Sequence, residues 1–215
     1  MGSKSQTADR KARIEAMRRA ERARERRNRI ITITVSAVVV AGLVGFGAYA
    51  LNKESDRKAA DEAAAKAPVK AEQTWEAKDL GRNHVTEAVS YPMTPPVGGD
   101  HNPVWMNCNG DVYKEAIPDV NAVHSLEHGA VWVTYNDKAS DADVKALSEK
   151  VAKTPYTLMS PVKDQKGALM LSAWGKQVTV DSADDSRVQQ FFTKYVQGEQ
   201  TPEPGAACTG GLDGK

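Results

Sequence analysis

The chain has few cysteines and none of the common catalytic signatures. Its 215 residues include two cysteines, Cys108 and Cys208, and no Cys-x-x-Cys pair, so a thioredoxin-type redox motif is excluded. No Gly-x-Ser-x-Gly, phosphate-binding loop or dinucleotide-binding fingerprint occurs. Acidic residues are scattered, and no carboxylate pair stands out. The sequence therefore nominates no catalytic residue, which favours a non-enzymatic protein and leaves activity uncertain.

Charge is absent from one long stretch. Residues 30–51 form 22 consecutive uncharged, mostly apolar positions. At roughly 1.5 Å per residue a helix of this length spans about 33 Å, enough to cross a hydrocarbon core of about 30 Å. The glycines at 42, 45 and 47 are common in membrane helices. The stretch predicts one transmembrane helix.

Basic residues crowd one side of this segment. Residues 1–29 hold eleven Lys or Arg and four Asp or Glu, whereas the rest of the chain carries a net charge of −6. The positive-inside rule places such an arm in the cytoplasm and the C-terminal part outside the membrane. The arm is expected to lie against anionic lipid, since its apolar positions are too sparse to bury a face. Nucleic-acid binding is not expected.

Other interpretations of the apolar stretch remain open. Ala48-Tyr49-Ala50 resembles the small-residue site at which a signal peptide is cleaved, although the run is longer than a signal core of roughly 7–15 residues. A buried helix of a soluble protein would not be apolar without interruption. An uncleaved anchor is the preferred interpretation.

Beyond the anchor, composition predicts a stalk and then a domain. Residues 52–71 are charged and Ala-rich, and Pro68 should end their helix. Residues 72–215 are long enough for one hydrophobic core. The segment 72–123 has many Pro and Gly breakers and predicts loops. Hydrophobic patterns beyond it predict strands near 130–135, 156–162, 168–173 and 177–180, with helices near 141–153 and 184–197.

This order of elements predicts an α+β fold. The expected architecture is a small mixed sheet with two packed helices, preceded by a long N-terminal helix that contains one transmembrane span. An extracytoplasmic location also favours a disulfide between Cys108 and Cys208. That bond would close a loop of about 100 residues and would tie the C-terminal tail to the domain. A metal-ligand or thiol role for Cys108 is the alternative.

Three of the four histidines fall within 28 residues. His124 and His128 are four positions apart, so both imidazoles would share one face if this segment is helical. His101, in a Gly-rich loop, is a third candidate ligand, and Met106 adds a soft thioether. Glu127 is positioned to orient an imidazole or to act as a base. Copper and zinc are the leading candidate ions.

Two further interpretations apply to these residues. The string from His124 to His128 matches the His-x-x-Glu-His pattern of inverted zinc metallopeptidases, but Gly129 and a β-branched run follow too soon for the long helix that pattern requires. Alternatively, the histidines hydrogen-bond main-chain carbonyls and hold loops in shape, with Glu127 as an internal ion-pair partner.

The same stretches carry a resemblance to a known family. Residues 95–101 read Pro-Pro-Val-Gly-Gly-Asp-His, a Cys-to-Tyr segment spans 108–113, and residues 124–131 read His-Ser-Leu-Glu-His-Gly-Ala-Val. Over about residues 72–205 the chain resembles a bacterial family, frequent in actinobacteria, that is known only as a domain of unknown function. The resemblance implies a basic N-terminus, one membrane helix and an outer domain, and it carries over no catalytic residue.

Three functions follow as hypotheses. The first is a membrane-tethered domain that binds copper or zinc through His101, His124, His128 and Met106. The second is a non-enzymatic accessory module of a membrane protein complex. The third is a metal-dependent hydrolase built on His-x-x-Glu-His.

Overall fold

The computed structural model describes residues 3–214, without the side chains of 3–12, 14, 61 and 64–66. The chain divides into two compact units, Met1–Lys58 and Ala59–Lys215. The N-terminal helix α1 covers Ser3–Lys66 and contributes to both. It ends two residues before Pro68, where the sequence places a helix stop.

The first unit consists of the long helix. Its stretch Glu15–Ala60 contains a segment that is long and apolar enough to cross a membrane, and no residue of that segment is buried. The hydroxyls of Thr32 and Thr34 each donate to the carbonyl four residues earlier, at 2.9 Å. These bonds satisfy the two polar side chains within the helix itself, as a lipid environment requires.

The second unit is an α+β domain built on one sheet. Its elements in chain order are β1 Gln73–Thr74, a short 3₁₀ turn Ala77–Asp79, β2 Asn109–Val112, α2 Asp119–Glu127, β3 Val131–Tyr135, α3 Asp141–Val151, β4 Thr157–Pro161, β5 Leu169–Ala173, β6 Lys176–Val180 and α4 Ser186–Tyr195.

The sheet has six strands in the order β1-β6-β5-β3-β4-β2. Strands β3 and β4 run parallel and are connected through α3, as a parallel pair requires. Strand β2 adds a second parallel pair at the β4 edge. The β5–β6 hairpin is antiparallel and pairs with β3 on one side and β1 on the other. The predicted mixed sheet is therefore confirmed.

Four strands and the last two helices were predicted, but three elements were not. Strands β1 and β2 are two and four residues long and carry no alternating apolar pattern. Helix α2 begins directly after Pro118, inside the segment predicted as loop, and is nine residues long. Every residue from Asn121 to Glu127 is buried, so α2 has no exposed polar face and shows no amphipathic pattern. The described part of the domain therefore contains three helices where two were expected.

The two faces of the sheet bury different residues, because side chains alternate along each strand. One face packs against α3 and α4. Its cluster includes Val133 of β3, Leu171 of β5, Leu147 of α3 and Phe191 of α4, all buried. We call this the apolar face. Ser140 caps α3 by accepting a hydrogen bond from the Asp143 N–H.

The opposite face packs against α2 and the irregular segment before it, and we call it the histidine face. Trp132 of β3 and Leu158 of β4 point to this side and contact a cluster that includes Leu126 of α2. Cys108 and Cys208 also lie here and form a disulfide, with a Cα–Cα distance of 4.7 Å and a sequence separation of 100 residues. This is the predicted pairing, and it fixes the tail against the domain.

Candidate metal centre

All four histidines of the chain meet at one place on the histidine face. Rings of His84, His101 and His124 lie with their centroids 4.8–4.9 Å apart, and that of His128 lies 4.5 Å from His124. One potential ligand atom from each of His84, His101, His124 and Glu127 lies within 4.8 Å of the other three. We call these four residues the inner group.

That spacing is somewhat wider than one ion requires. Two ligands about 2.0–2.2 Å from a tetrahedral ion lie about 3.3–3.6 Å apart. The widest pair of the inner group, which lies within 4.8 Å, therefore has to close by about an ångström for the four residues to share one ion.

Helix α2 supplies two members of the inner group. His124 and Glu127 are three residues apart and share one face of the helix. The helix stops at Glu127 because His128 is its C-cap and Gly129 follows with φ +92°. This left-handed conformation favours glycine at the turn, and a Cβ there would also meet the side chains of Gln197 and Thr201.

His84 and His101 come from two irregular segments that are bridged side by side. The Val85 N–H donates to the His101 carbonyl at 2.7 Å, and the His101 N–H donates to the Asn83 carbonyl at 3.0 Å. Gly99 precedes this bridge with φ +123°, and a Cβ there would lie 3.0 Å from the ring of Tyr91. The Gly-rich loop therefore brings His101 into the interior, where it is fully buried.

The three buried histidines are all held through Nδ1. That atom lies 2.7 Å from the Gly99 carbonyl in His101, 2.6 Å from the Asn102 carbonyl in His124, and 2.7 Å from the Ala207 carbonyl in His128. Each Nδ1 therefore carries a proton and donates, which leaves Nε2 to face the cluster. Hydrogen bonds of this kind fix the tautomer in metal-binding histidines. The same bonds are also expected if the histidines serve only to hold the loops in shape.

Glu127 is the charged centre of the cluster. Its side chain is 2% exposed, and its carboxylate accepts from Arg82 Nε at 2.9 Å and from His101 Nε2 at 2.8 Å. His84 Nε2 lies 3.6 Å from the same carboxylate. Burial alone would raise the pKa of Glu127, but the hydrogen bonds from His101 and Arg82 outweigh it and lower the pKa to about 2. Glu127 is therefore ionised, and it is a weak general base.

The histidines divide into two electrostatic classes. Burial opposes protonation of His101, yet its hydrogen bonds to Glu127 and Gly99 raise its pKa above the usual value. Burial is the main cause that lowers the pKa of His124, to about 4, and the neighbouring imidazoles add to it. Burial also lowers the pKa of His128. At neutral pH His124 is a neutral imidazole with a lone pair on Nε2, the form that binds metal ions.

The structure places the remaining predicted ligands differently. His128 lies beside the inner group but outside it, and its Nε2 is 4.0 Å from the carboxylate of Glu203. Met106 is buried, and a ligand role for its sulfur remains a prediction. Cys108 is bonded to Cys208 and offers no thiol.

Two tryptophan rings lie beside the cluster. The Trp105 ring lies 5.6 Å from His124 and 5.0 Å from His128, measured between centroids. The Trp174 ring lies 5.9 Å from His101 in an edge-on arrangement. Apolar walls exclude water and strengthen the electrostatic interactions inside.

Three residues of the site were missed by sequence reasoning: His84, Arg82 and Glu203. They stand alone in irregular segments, with no motif around them. The sequence does contain one signal for His84. Three of the four histidines of the chain are clustered, and the fourth is a natural candidate for the same site.

The geometry argues against the hydrolase hypothesis in its original form. That hypothesis makes His124 and His128 the ligands and Glu127 the base. In the structure Glu127 belongs to the inner group and is bonded to Arg82 and His101, whereas His128 lies outside it.

Comparison with known proteins identifies the family. A family model described as "Protein of unknown function (DUF3105)" matches residues 84–210, more than half of the chain. The chain belongs to this family. The matched region begins at His84 and contains every histidine, Glu127 and both cysteines, so the cluster and the disulfide lie within the DUF3105 region. No curated protein and no solved structure matches the chain.

Proposed function

We propose that this DUF3105 protein is a membrane-anchored domain that binds one zinc or copper ion through His84, His101, His124 and Glu127. The supporting observation is the convergence of these four potential ligands, drawn from three separate segments, within 4.8 Å. Three imidazoles and one carboxylate are a donor set that suits Zn²⁺ and Cu²⁺.

The site has the surroundings of a metal centre. The imidazoles of His101 and His124 are oriented by main-chain carbonyls, and Glu127 is held by Arg82, whose side chain is 49% exposed. His84 is also half-exposed and gives an ion a route from solvent. If an ion replaces the proton shared by His101 and Glu127, their Nε2 and carboxylate oxygen become ligands, and binding should release that proton.

We further propose that the anchor is uncleaved and that the domain lies outside the cytoplasm. Support comes from the apolar helix segment, the basic arm before it and the disulfide after it, since disulfides persist in oxidising compartments. The basic arm would then lie against anionic lipid on the inner surface.

Metal titration of the full-length protein in detergent tests the proposal. After treatment with a chelator, the protein should bind one Zn²⁺ tightly, as measured by equilibrium dialysis and elemental analysis. His84→Ala should weaken this binding at least about tenfold, because a ligand is lost. His84 is the variant of choice because its half-exposed ring contributes least to the core.

Thr86→Ala is the matched control. Thr86 is exposed, lies two positions from His84 and donates no side-chain hydrogen bond within the described part of the chain. It should bind Zn²⁺ like the unmodified protein. Failure of both Zn²⁺ and copper to bind the unmodified protein would overturn the proposal.

An accessory module without metal is the second candidate. It is favoured by the Arg82–Glu127–His101 network, which satisfies its own charges through hydrogen bonds of 2.8–2.9 Å. On this view the cluster stabilises loops that a partner in a membrane complex recognises. A protein that binds no metal, yet co-purifies reproducibly with one membrane protein, would favour it.

A further inference from the structure

We propose that His128 and Glu203 form a second cation position beside the inner group, so that the protein holds two ions. This inference rests on the proposed function, because the second position is adjacent to the first. It assigns a role to the one histidine that the inner group leaves out.

His128 has the features of a ligand, because its Nε2 makes no hydrogen bond among the described residues and faces a carboxylate. The residue is only 4% exposed, and its Nδ1 donates to the Ala207 carbonyl at 2.7 Å. Its Nε2 therefore carries the lone pair. Among the described residues this atom has no hydrogen-bond partner, and the nearest charged group is Glu203 Oε2 at 4.0 Å. This lone pair is available to a cation, and the facing carboxylate supplies the negative charge that a cation position needs.

Glu203 supplies the complementary charge. Its side chain is 46% exposed and so is free to adjust. Two ligands of a tetrahedral Zn²⁺ lie about 3.3 Å apart, so a shift of under an ångström would bring Glu203 and His128 to ligand spacing. The main chain holds the segment in place, because the Glu203 N–H donates to the Glu127 carbonyl at 3.0 Å.

The second position lies next to the first. The rings of His128 and His124 are 4.5 Å apart between centroids and nearly perpendicular. Arg82 links the two carboxylates: its Nε donates to Glu127 at 2.9 Å, and its Nη2 lies 4.0 Å from Glu203. The Arg82 guanidinium thus occupies, in the absence of metal, the space beside both carboxylates that cations would approach. Because it is half-exposed, it can turn to solvent when an ion approaches Glu203.

Neighbouring ions have a chemical consequence. Paired metal ions a few ångströms apart commonly share a bridging water or an anionic ligand such as a phosphate or carboxylate group. The half-exposed side of the cluster, formed by His84, Arg82 and Glu203, is where such an anion would enter.

Zn²⁺ stoichiometry of the full-length protein in detergent tests this inference. The unmodified protein should bind two Zn²⁺ ions in equilibrium dialysis, one tighter than the other. Glu203→Gln should weaken the second ion at least tenfold and leave the first within twofold. His128→Ala should do the same. Glu199→Gln is the matched control, since Glu199 is exposed in the same segment and has no described ion pair; it should keep both ions.

The outcomes are distinguishable. One ion in the unmodified protein, lost in His84→Ala and retained in Glu203→Gln, overturns the second position and leaves the proposed function intact. Failure of the unmodified protein to bind either Zn²⁺ or copper overturns both proposals. Two ions that survive Glu203→Gln and His128→Ala overturn this assignment of ligands. Because Glu203 is half-exposed, its variant should fold even if His128→Ala does not.

Discussion

The two faces of the sheet are built from different chemistry. The apolar face is closed by α3 and α4 through aliphatic and aromatic side chains. The histidine face is closed by α2 and irregular segments, and it buries His101, His124, His128 and Glu127. Burying a charged or polar group costs free energy unless it is paired. The apolar face is therefore expected to supply stability, and the histidine face to hold a site at some cost to stability.

The largest expected effect on stability comes from a substitution in the apolar face alone, which tests whether the two faces act independently. Phe191→Ala in α4 removes a fully buried ring. We expect a loss of about 3–5 kcal/mol in the free energy of unfolding, with unchanged Zn²⁺ affinity of the folded protein. All four tryptophans lie beyond residue 74, so tryptophan fluorescence during denaturation reports this domain and not the N-terminal helix.

Ser186→Ala is the control for that experiment. Ser186 opens the same helix, is exposed and has no described side-chain hydrogen bond. Its effect should be within about 0.5 kcal/mol. If Phe191→Ala abolished Zn²⁺ binding while the protein stayed folded, the two faces would be coupled and the division between them would be wrong.

The disulfide offers a smaller perturbation, on the other face. Replacing both cysteines, Cys108→Ala with Cys208→Ala, should cost about 2–5 kcal/mol because a loop of about 100 residues is released in the unfolded chain. Cys208 adjoins Ala207, whose carbonyl accepts from His128, and lies five residues after Glu203. Binding of a second Zn²⁺ should therefore weaken more than binding of the first.

Denaturation curves and Zn²⁺ dialysis of the double variant measure both effects. Reduction of the unmodified protein should reproduce them. An equal loss of affinity for both ions would show that the tail supports the whole cluster rather than the His128 side of it.

The difference between the faces also explains what the sequence could predict. The apolar face follows from regular patterns: Val144, Leu147 and Val151 mark α3, and the Val188–Tyr195 stripe marks α4. Both helices and the four longer strands were predicted for this reason. The disulfide followed from the pairing of two cysteines in a domain expected outside the cytoplasm.

The histidine face has no such pattern. His101 reaches the interior because Gly98 and Gly99 adopt positive φ angles. The hydrophobic periodicity of the sequence does not predict such backbone conformations. His84 is aligned with it by two main-chain hydrogen bonds across 17 residues of sequence. The motif from His124 to His128 drew attention to the right helix, but the choice between His84 and His128 as the third imidazole depends on tertiary contacts alone.

The last prediction concerns pH and compares histidines within the cluster. The pKa of His101 is raised, so its contribution to stability is complete below its unfolded pKa of about 6.5 and is lost as pH rises through its folded value. The pKa values of His124 and His128 are lowered, to about 4 for His124, so the unfolded chain takes up more protons below about 6.5. The free energy of unfolding should therefore also fall as the pH drops below about 6.5.

Denaturation in chelator between pH 5 and 8.5 should give a maximum near pH 6.5–7. Each proton taken up on unfolding contributes a slope of about 1.4 kcal/mol per pH unit. His124→Gln should reduce by one proton the slope of the free energy of unfolding against pH on the acid side of the maximum. It should leave the slope on the alkaline side unchanged, because His101 controls that side. Stability that rises steadily to pH 8.5 would contradict the charged state of His101, and with it the view that the Glu127–His101 pair holds the site together until a metal ion replaces its proton.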